Sequence, residues 1–132
     1  DRSSLFLIDV KKNEMWAKIA QGVNELEIRF PVGVGIAGTV GKTGEIINLP
    51  DAYQDPRFNP EIDRKTGYRT RSILCVPMRN MQGELIGAIQ VLNKASGHFN
   101  SDDEALLAAL TLNPAIRKSS WSMRLSICVV LC

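Results

Sequence analysis

The sequence predicts an α+β domain built on a central antiparallel sheet of about six strands, with helices packed on its faces. Three observations lead there. Apolar runs at residues 72–78 and 85–92 flank a short polar turn containing Gly83, the pattern of a hairpin. A second hairpin pattern opens the chain, with residues 4–9 and 15–20 on either side of Lys11-Lys12-Asn13-Glu14. Finally, strand-like and helix-like stretches are mixed along the chain and do not alternate regularly, which argues against a parallel sheet.

Taken in order, the first two strands come from those N-terminal runs. Residues 27–30, Glu-Ile-Arg-Phe, alternate charged and apolar side chains as a half-buried strand should. The stretch Gly33-Val34-Gly35-Ile36-Ala37-Gly38 then reads as a glycine-rich turn entering a short helix. Residues 46–49 form a further strand ended by Pro50-Asp51. Between 51 and 64, Pro56 and Pro60 prevent a long helix. Asn59 can cap a short helix with Pro60 at its first position. After the second hairpin, Ser101 with Glu104 three residues on is a capping box for a helix carrying Ala105, Leu106, Leu107 and Leu110. Pro114 should stop or kink it. Residues 1–112 are expected to form the domain, and 113–132 a divergent tail, polar over Arg117–Trp121 and then apolar.

Composition narrows the function. With 132 residues, 45% hydrophobic and 23% charged, the chain fits one domain with a real core. A formal charge of +2 with interleaved signs gives no phosphate-tracking stripe, so nucleic acid is not an expected partner. No apolar run approaches the roughly 20 residues of a membrane helix, so a membrane is not one either. Three cysteines, Cys75, Cys128 and Cys132, make neither a disulfide framework nor a zinc pattern. Cys75 reads as a buried small hydrophobe. A reducing, cytoplasmic setting, no metal and no cofactor are the expectations. The chain opens at Asp1 without a methionine, as an excerpt of a longer protein would.

The stretch from Gly67 to Glu104, GYRTRSILCVPMRNMQGELIGAIQVLNKASGHFNSDDE, carries the most information. After its second strand come Asn93-Lys94, a glycine-containing loop, Phe99, and three residues later Asp103-Glu104. Upstream stand Ser4-Leu5-Phe6-Leu7-Ile8-Asp9, Gly35-Ile36-Ala37-Gly38, Asp51-Ala52-Tyr53, Asp55-Pro56-Arg57-Phe58-Asn59 and Thr66-Gly67-Tyr68-Arg69-Thr70. In their joint order, from about Ser3 to Leu110, these resemble the cyclic-nucleotide-binding GAF domains of phosphodiesterases and bacterial adenylate cyclases. The resemblance implies the GAF fold, with the family's N-terminal helix missing from this stretch. It also implies a domain that senses a cyclic nucleotide without chemistry of its own and controls an attached output domain. Homodimerisation is a further possibility.

Gly35-Ile36-Ala37-Gly38 would place backbone N–H groups at a helix start, suited to the single charge of a cyclic phosphate. A tight turn relieved by glycine is the alternative, and the resemblance favours the anion reading. Thr66 and Thr70 offer hydroxyls to ribose or phosphate oxygens, or are solvated at a helix end. By resemblance, Ser4, Ala20, Gln21, Ile36, Ala37, Asp63, Thr66, Thr70 and Gln90 match ligand-lining positions. Asn93, Lys94, Phe99 and Asp103, which give the motif its identity, are expected to support the pocket: Lys94 and Asp103 as an ion pair between the last strand and the final helix, Phe99 packed beneath the loop.

Ala20-Gln21 and Gln90 depart from the Phe-Asp and glutamate found at matching positions in some cyclic-GMP binders. Guanine offers two neighbouring donors, which a carboxylate accepts. Adenine offers a donor and an acceptor, which an amide meets from both sides. The expectation is cyclic AMP over cyclic GMP. Three other readings compete with this one. The alternative function is a ligand-free GAF domain serving as a dimerisation or interaction module. A thiol-dependent methionine sulfoxide reductase is disfavoured because Cys75 stands alone in a strand and His98, the only histidine, follows a glycine. A bilin site lacks its attachment motif. No catalytic residue is assigned.

Overall fold

The computed structural model describes residues 2–21, 24–67, 69–95 and 97–112; within them the side chains at 2–3, 18–21, 24–26, 62 and 66 are not described. The expected tail at 113–132 lies outside these residues. Six strands form one sheet: β1 (Arg2–Asp9), β2 (Glu14–Gln21), β3 (Asn24–Pro31), β4 (Ile47–Leu49), β5 (Ile73–Arg79) and β6 (Leu85–Leu92). Helix α1 (Gly35–Thr43) links β3 to β4, the short α2 (Glu61–Thr66) precedes β5, and α3 (Ser101–Leu110) follows β6. A single 3-10 turn spans Ala52–Gln54.

The sheet order is β3-β2-β1-β6-β5-β4, with every neighbouring pair antiparallel. This agrees with the α+β expectation and with both hairpins. It adds what no local pattern carries: β1, the first strand, is central and pairs with β6, the last, from Arg2↔Leu92 to Leu7↔Gly87. Gly87 is required there, because a Cβ at this position would run into the Phe6 carbonyl oxygen. Pro77 is tolerated in β5 because β4 extends only to Cys75, leaving β5 open on that side beyond it.

Cross-strand partners share a face. One face carries Phe6, Ile8, Met15, Ala88, Gln90 and Ile73, and α1 lies on it, so closely that a Cβ on Gly41 would come within 2.6 Å of the Met15 sulfur. The other carries Leu5, Leu7, Leu74, Val76 and Ile89, with α3 packed over β5. Most of these residues are almost fully buried and belong to the core; Ile8 and Gln90 are only partly buried.

Several boundaries differ from the sequence reading. β3 starts at Asn24, three residues before the alternating run. β4 and β5 begin at Ile47 and Ile73, each one residue later than expected. Asn59 accepts from the Glu61 N–H at 3.0 Å, but Pro60 is the N-cap of α2, so its ring lies just before the first turn. The capping box of α3 is Asn100 with Asp103, one residue earlier than Ser101 with Glu104. The asparagine wins because it satisfies the Asp103 N–H while Asp103 accepts from the Asn100 N–H. Of the α3 leucines only Leu107 is buried; Leu106 and Leu110 are exposed.

Gly87→Ala should therefore lower stability by about 1–3 kcal/mol, because the added methyl forces β1 and β6 apart. A urea midpoint equal to that of the parent chain would contradict the packing described.

Candidate functional site

A cavity of about 80 Å³ lies between the α1 face of the sheet, the first turn of α1 and the segment from Phe58 to Asp63. Phe6, Phe30 and Phe58 supply its apolar walls; the Phe6 and Phe30 rings meet edge to face at 5.5 Å. Gly35, Ile36 and Ala37 line it from the start of α1, the last two buried. Gly35 has φ 73°, open to glycine and strained for other residues, and this turns the chain off β3 into the helix. The N-cap, Val34, makes no side-chain cap bond, and the first turn holds no acidic residue. The helix thus presents the positive end of its dipole to the cavity without a side-chain anion of its own.

Asp63 and Thr70 face the same cavity and are tied to each other. The Thr70 hydroxyl donates to Asp63 Oδ1 at 2.7 Å and the Thr70 N–H donates to Oδ2 at 2.8 Å. The Tyr53 hydroxyl donates to Oδ2 as well, at 2.7 Å. Three donors therefore converge on this one carboxylate. Tyr53 in turn packs on Phe58 at 4.9 Å and carries the Arg69 guanidinium 4.2 Å above its ring.

The remaining predicted positions divide. Gln90 lines the cavity and is half-buried. Ser4 is buried opposite Gln90 in the β1–β6 register, on the same face. Ala20 and Gln21 end β2, their backbone paired with Glu25 and Asn24 of β3; their side chains lie outside the description. Thr66 is the last residue of α2, and the same holds for its side chain.

The motif residues form a continuous polar support. Asn93 is buried, with φ 54°, just past β6. Its Oδ1 accepts from the Arg71 and Ser72 N–H groups, and its Nδ2 donates to the Arg69 carbonyl at 2.8 Å. One side chain thus fastens the segment that delivers Thr70. Lys94 Nζ lies 2.6 Å from Asp103 Oδ2, both side chains about a quarter to a third exposed. The Lys94 ammonium, with the Asn100 N–H, holds the Asp103 carboxyl below the ordinary carboxylate range. Phe99 packs against the core, and its carbonyl accepts from Asn48 Nδ2 at 3.0 Å.

Sequence reasoning missed the cavity's aromatic walls and Tyr53. Tyr53 and Phe58 do fall within the quoted Asp51-Ala52-Tyr53 and Asp55–Asn59 stretches, and that was the available signal. Cys75 is buried in β5, and burial pushes its thiol far above the usual range, so it carries no nucleophilic thiolate. Cys128 and Cys132 lie outside the described residues. His98 is exposed, and among the described residues no cluster of His, Cys, Asp and Glu could hold a metal ion.

Asn93→Ala should cost at least about 1–3 kcal/mol by stranding the Arg69–Ser72 backbone groups, read as a lower urea midpoint. The Asp103 pair adds a pH dependence. Because its folded pKa is depressed, its stabilisation is present above the unfolded carboxylate value, near 4. It is lost as pH falls through the folded value. Asp103→Asn should flatten that part of the acid limb of stability, and an unchanged limb would contradict the pairing.

Comparison with known proteins bears on what this arrangement is. The GAF domain family matches residues 1–116. A dual 3′,5′-cyclic-AMP and -GMP phosphodiesterase 11A of Takifugu rubripes is 42% identical over 120 residues, covering 81% of this chain and 13% of that protein. The probable 3′,5′-cyclic phosphodiesterase pde-5 of Caenorhabditis elegans is 38% identical over 150 residues, covering 96% of this chain and 20% of that protein. The chain thus spans a fifth or less of the length of these two relatives. Among solved structures, the GAF domain of a Coxiella burnetii phosphoenolpyruvate-protein phosphotransferase aligns with a TM-score of 0.70 and 30% identity, over 88% of this chain and 70% of that one. A free methionine-R-sulfoxide reductase of Neisseria meningitidis shares the fold alone, at 22% identity and a TM-score of 0.66, over 83% of this chain and 61% of that one. With the family match spanning nearly the whole described sheet and its helices, this chain belongs to the GAF domain family.

Proposed function

We propose that this domain binds a cyclic nucleotide in the cavity at the start of α1, favours cyclic AMP over cyclic GMP, and thereby regulates an attached output domain. The observation that carries the reading is the cavity's composition: an N-terminal helix turn without a side-chain cap, aromatic walls and one half-buried amide converge on it. The helix turn suits a cyclic phosphate, whose single charge gains about 0.3–1 kcal/mol from such a terminus. Phe6, Phe30 and Phe58 suit a base. Gln90 can present a donor and an acceptor to the adenine edge. Ser4, Ala20, Gln21 and Thr66 complete the ligand-binding set by family position, and Asn93, Lys94, Phe99 and Asp103 support it.

The reading is regulatory and not catalytic. It rests on membership of the GAF family and on the named relatives, both of them cyclic-nucleotide phosphodiesterases. Domains of that kind act by shifting a two-state equilibrium toward the state that binds ligand better. The output domain, a possible homodimer and a cytoplasmic setting belong to the same proposal. No helix among the described residues is long and apolar enough to cross a membrane.

Calorimetric titration with cyclic AMP and cyclic GMP tests the proposal directly. Saturable binding, tighter for cyclic AMP, is expected; no binding by about millimolar, where only about −4 kcal/mol would be involved, would leave the dimerisation module as the reading. Gln90→Glu should move the ratio of the two affinities toward cyclic GMP, because a carboxylate accepts from guanine's paired donors. An unchanged ratio would reject Gln90 as the base reader.

A further inference from the structure

The sheet ends at β3, which pairs with β2 on one side and with no strand among the described residues on the other. The Val32 N–H donates to the Asn13 carbonyl at 3.0 Å, one step beyond the Glu14↔Pro31 pair. Hydrogen-bonded residues alternate along an antiparallel ladder. Phe30 and Ile28 therefore turn their backbone N–H and C=O groups to β2, and Arg29 and Glu27 turn theirs outward. Among the described residues no backbone group meets these outward ones. Pro31 closes the row, since it has no N–H and its carbonyl accepts from the Val34 N–H.

Space lies along this edge. A cavity of about 370 Å³ is lined by residues 27–30 of β3 and, across from them, by Glu61 and Lys65 of α2. Successive strand residues point to opposite faces, so an opening lined by all four runs along the strand's edge. Glu27 and Arg29 share the face away from α1, with Arg29 Nε 3.0 Å from Glu27 Oε1 and both side chains a third to a half exposed. Arg29 also meets Asp9 and Glu14, so carboxylates outnumber the guanidinium around it.

We propose that β3 pairs with β3 of a second copy of this chain, antiparallel about Ile28, so that Glu27 of each stands opposite Arg29 of the other. Charged side chains on an edge strand ordinarily discourage pairing; here their order, acid-apolar-base, read antiparallel is its own complement. A two-fold contact requires that self-complementarity. Outward groups meet outward groups only in steps of two residues. One step to either side opposes Glu27 to Glu27 or Arg29 to Arg29, which is unfavourable. In the register centred on Ile28, two carboxylates and two guanidinium groups form a square with unlike charges along every side. The outward backbone groups of Glu27 and Arg29 then bond across the axis, and Ile28, nearly buried on the α1 face, meets its own copy. This contact gives a surface to the homodimer of the functional proposal. It rests on the strand edge alone, so a failure of cyclic-nucleotide binding leaves it standing.

Sedimentation of the 132-residue chain over a concentration series tests the pairing. A reversible dimer that grows with concentration is expected; a monomer throughout, up to about millimolar, would overturn it. Glu27→Arg and Arg29→Glu each set like charges across the axis, and each variant alone should be monomeric. An equimolar mixture restores unlike pairs and should form a one-to-one dimer. A dimer that survives in either variant alone, or a mixture of folded variants that stays monomeric, would reject this register. Because Arg29 also holds Asp9 and Glu14, hydrogen exchange on the unaltered chain supplies a reading that needs no substitution. Where about nine chains in ten are paired, the Glu27 and Arg29 amides should exchange about tenfold more slowly than in dilute solution. Those of Ile28 and Phe30, bonded to β2 in either state, should not change. Equal rates for Glu27 and Arg29 at every concentration would overturn the pairing.

Discussion

The side chain of Asn93 sits where β6 ends and the approach to β5 begins, and the polar architecture of the site depends on it. In the left-handed backbone conformation, which asparagine tolerates better than most residues, it accepts from two N–H groups of the 71–72 segment and donates to the Arg69 carbonyl. Those groups have no strand partner to satisfy them, and leaving buried backbone polar groups unmade is expensive. Fixing them fixes Thr70, Thr70 fixes Asp63, and Asp63 fixes α2. On the other side, Lys94 follows directly and reaches Asp103, whose carboxylate also closes the capping box of α3. One short segment after β6 therefore sets the positions of two helices on opposite sides of the sheet.

The two polar networks differ in what they can contribute. The Lys94–Asp103 pair is partly exposed, so its Coulomb energy is screened and its main effect is geometric. Asn93 is buried and neutral, and its bonds are to backbone, so it orders the chain without the cost of burying a charge. The cavity itself is mostly apolar, with the backbone amides at the start of α1 and the Asp63 carboxylate both on its wall.

Local sequence made much of this legible. The hairpins of β1–β2 and β5–β6 were readable from apolar runs around short polar turns, and the short α1 from a glycine-rich turn after an alternating strand. The Asn-Lys and Phe-x-x-x-Asp-Glu spacing marked the segment that braces the site. The errors were local competitions between chemically similar residues. Asn100 outcompeted Ser101 as the cap because Asp103 returned the bond. A short helix rich in leucine does not reveal which stripe meets the sheet: of Leu106, Leu107 and Leu110, only Leu107 is buried.

What the sequence determined by itself was the set of pieces: which residues are strands, where glycine permits a turn, and which side chains have the chemistry to hold an anion or an amide edge. Those properties depend on neighbours a few residues away. Tertiary structure decided the partners. β1 lies beside β6 because a sheet buries both faces only when its most apolar strands are central, and that choice brings Phe6 and Ser4 across from Ala88 and Gln90. The same closure carries Tyr53 to Asp63 and Asp63 to Thr70, contacts spanning ten and seven residues through irregular chain. No periodicity encodes such contacts, because their geometry exists only once the sheet has fixed both ends of the segment.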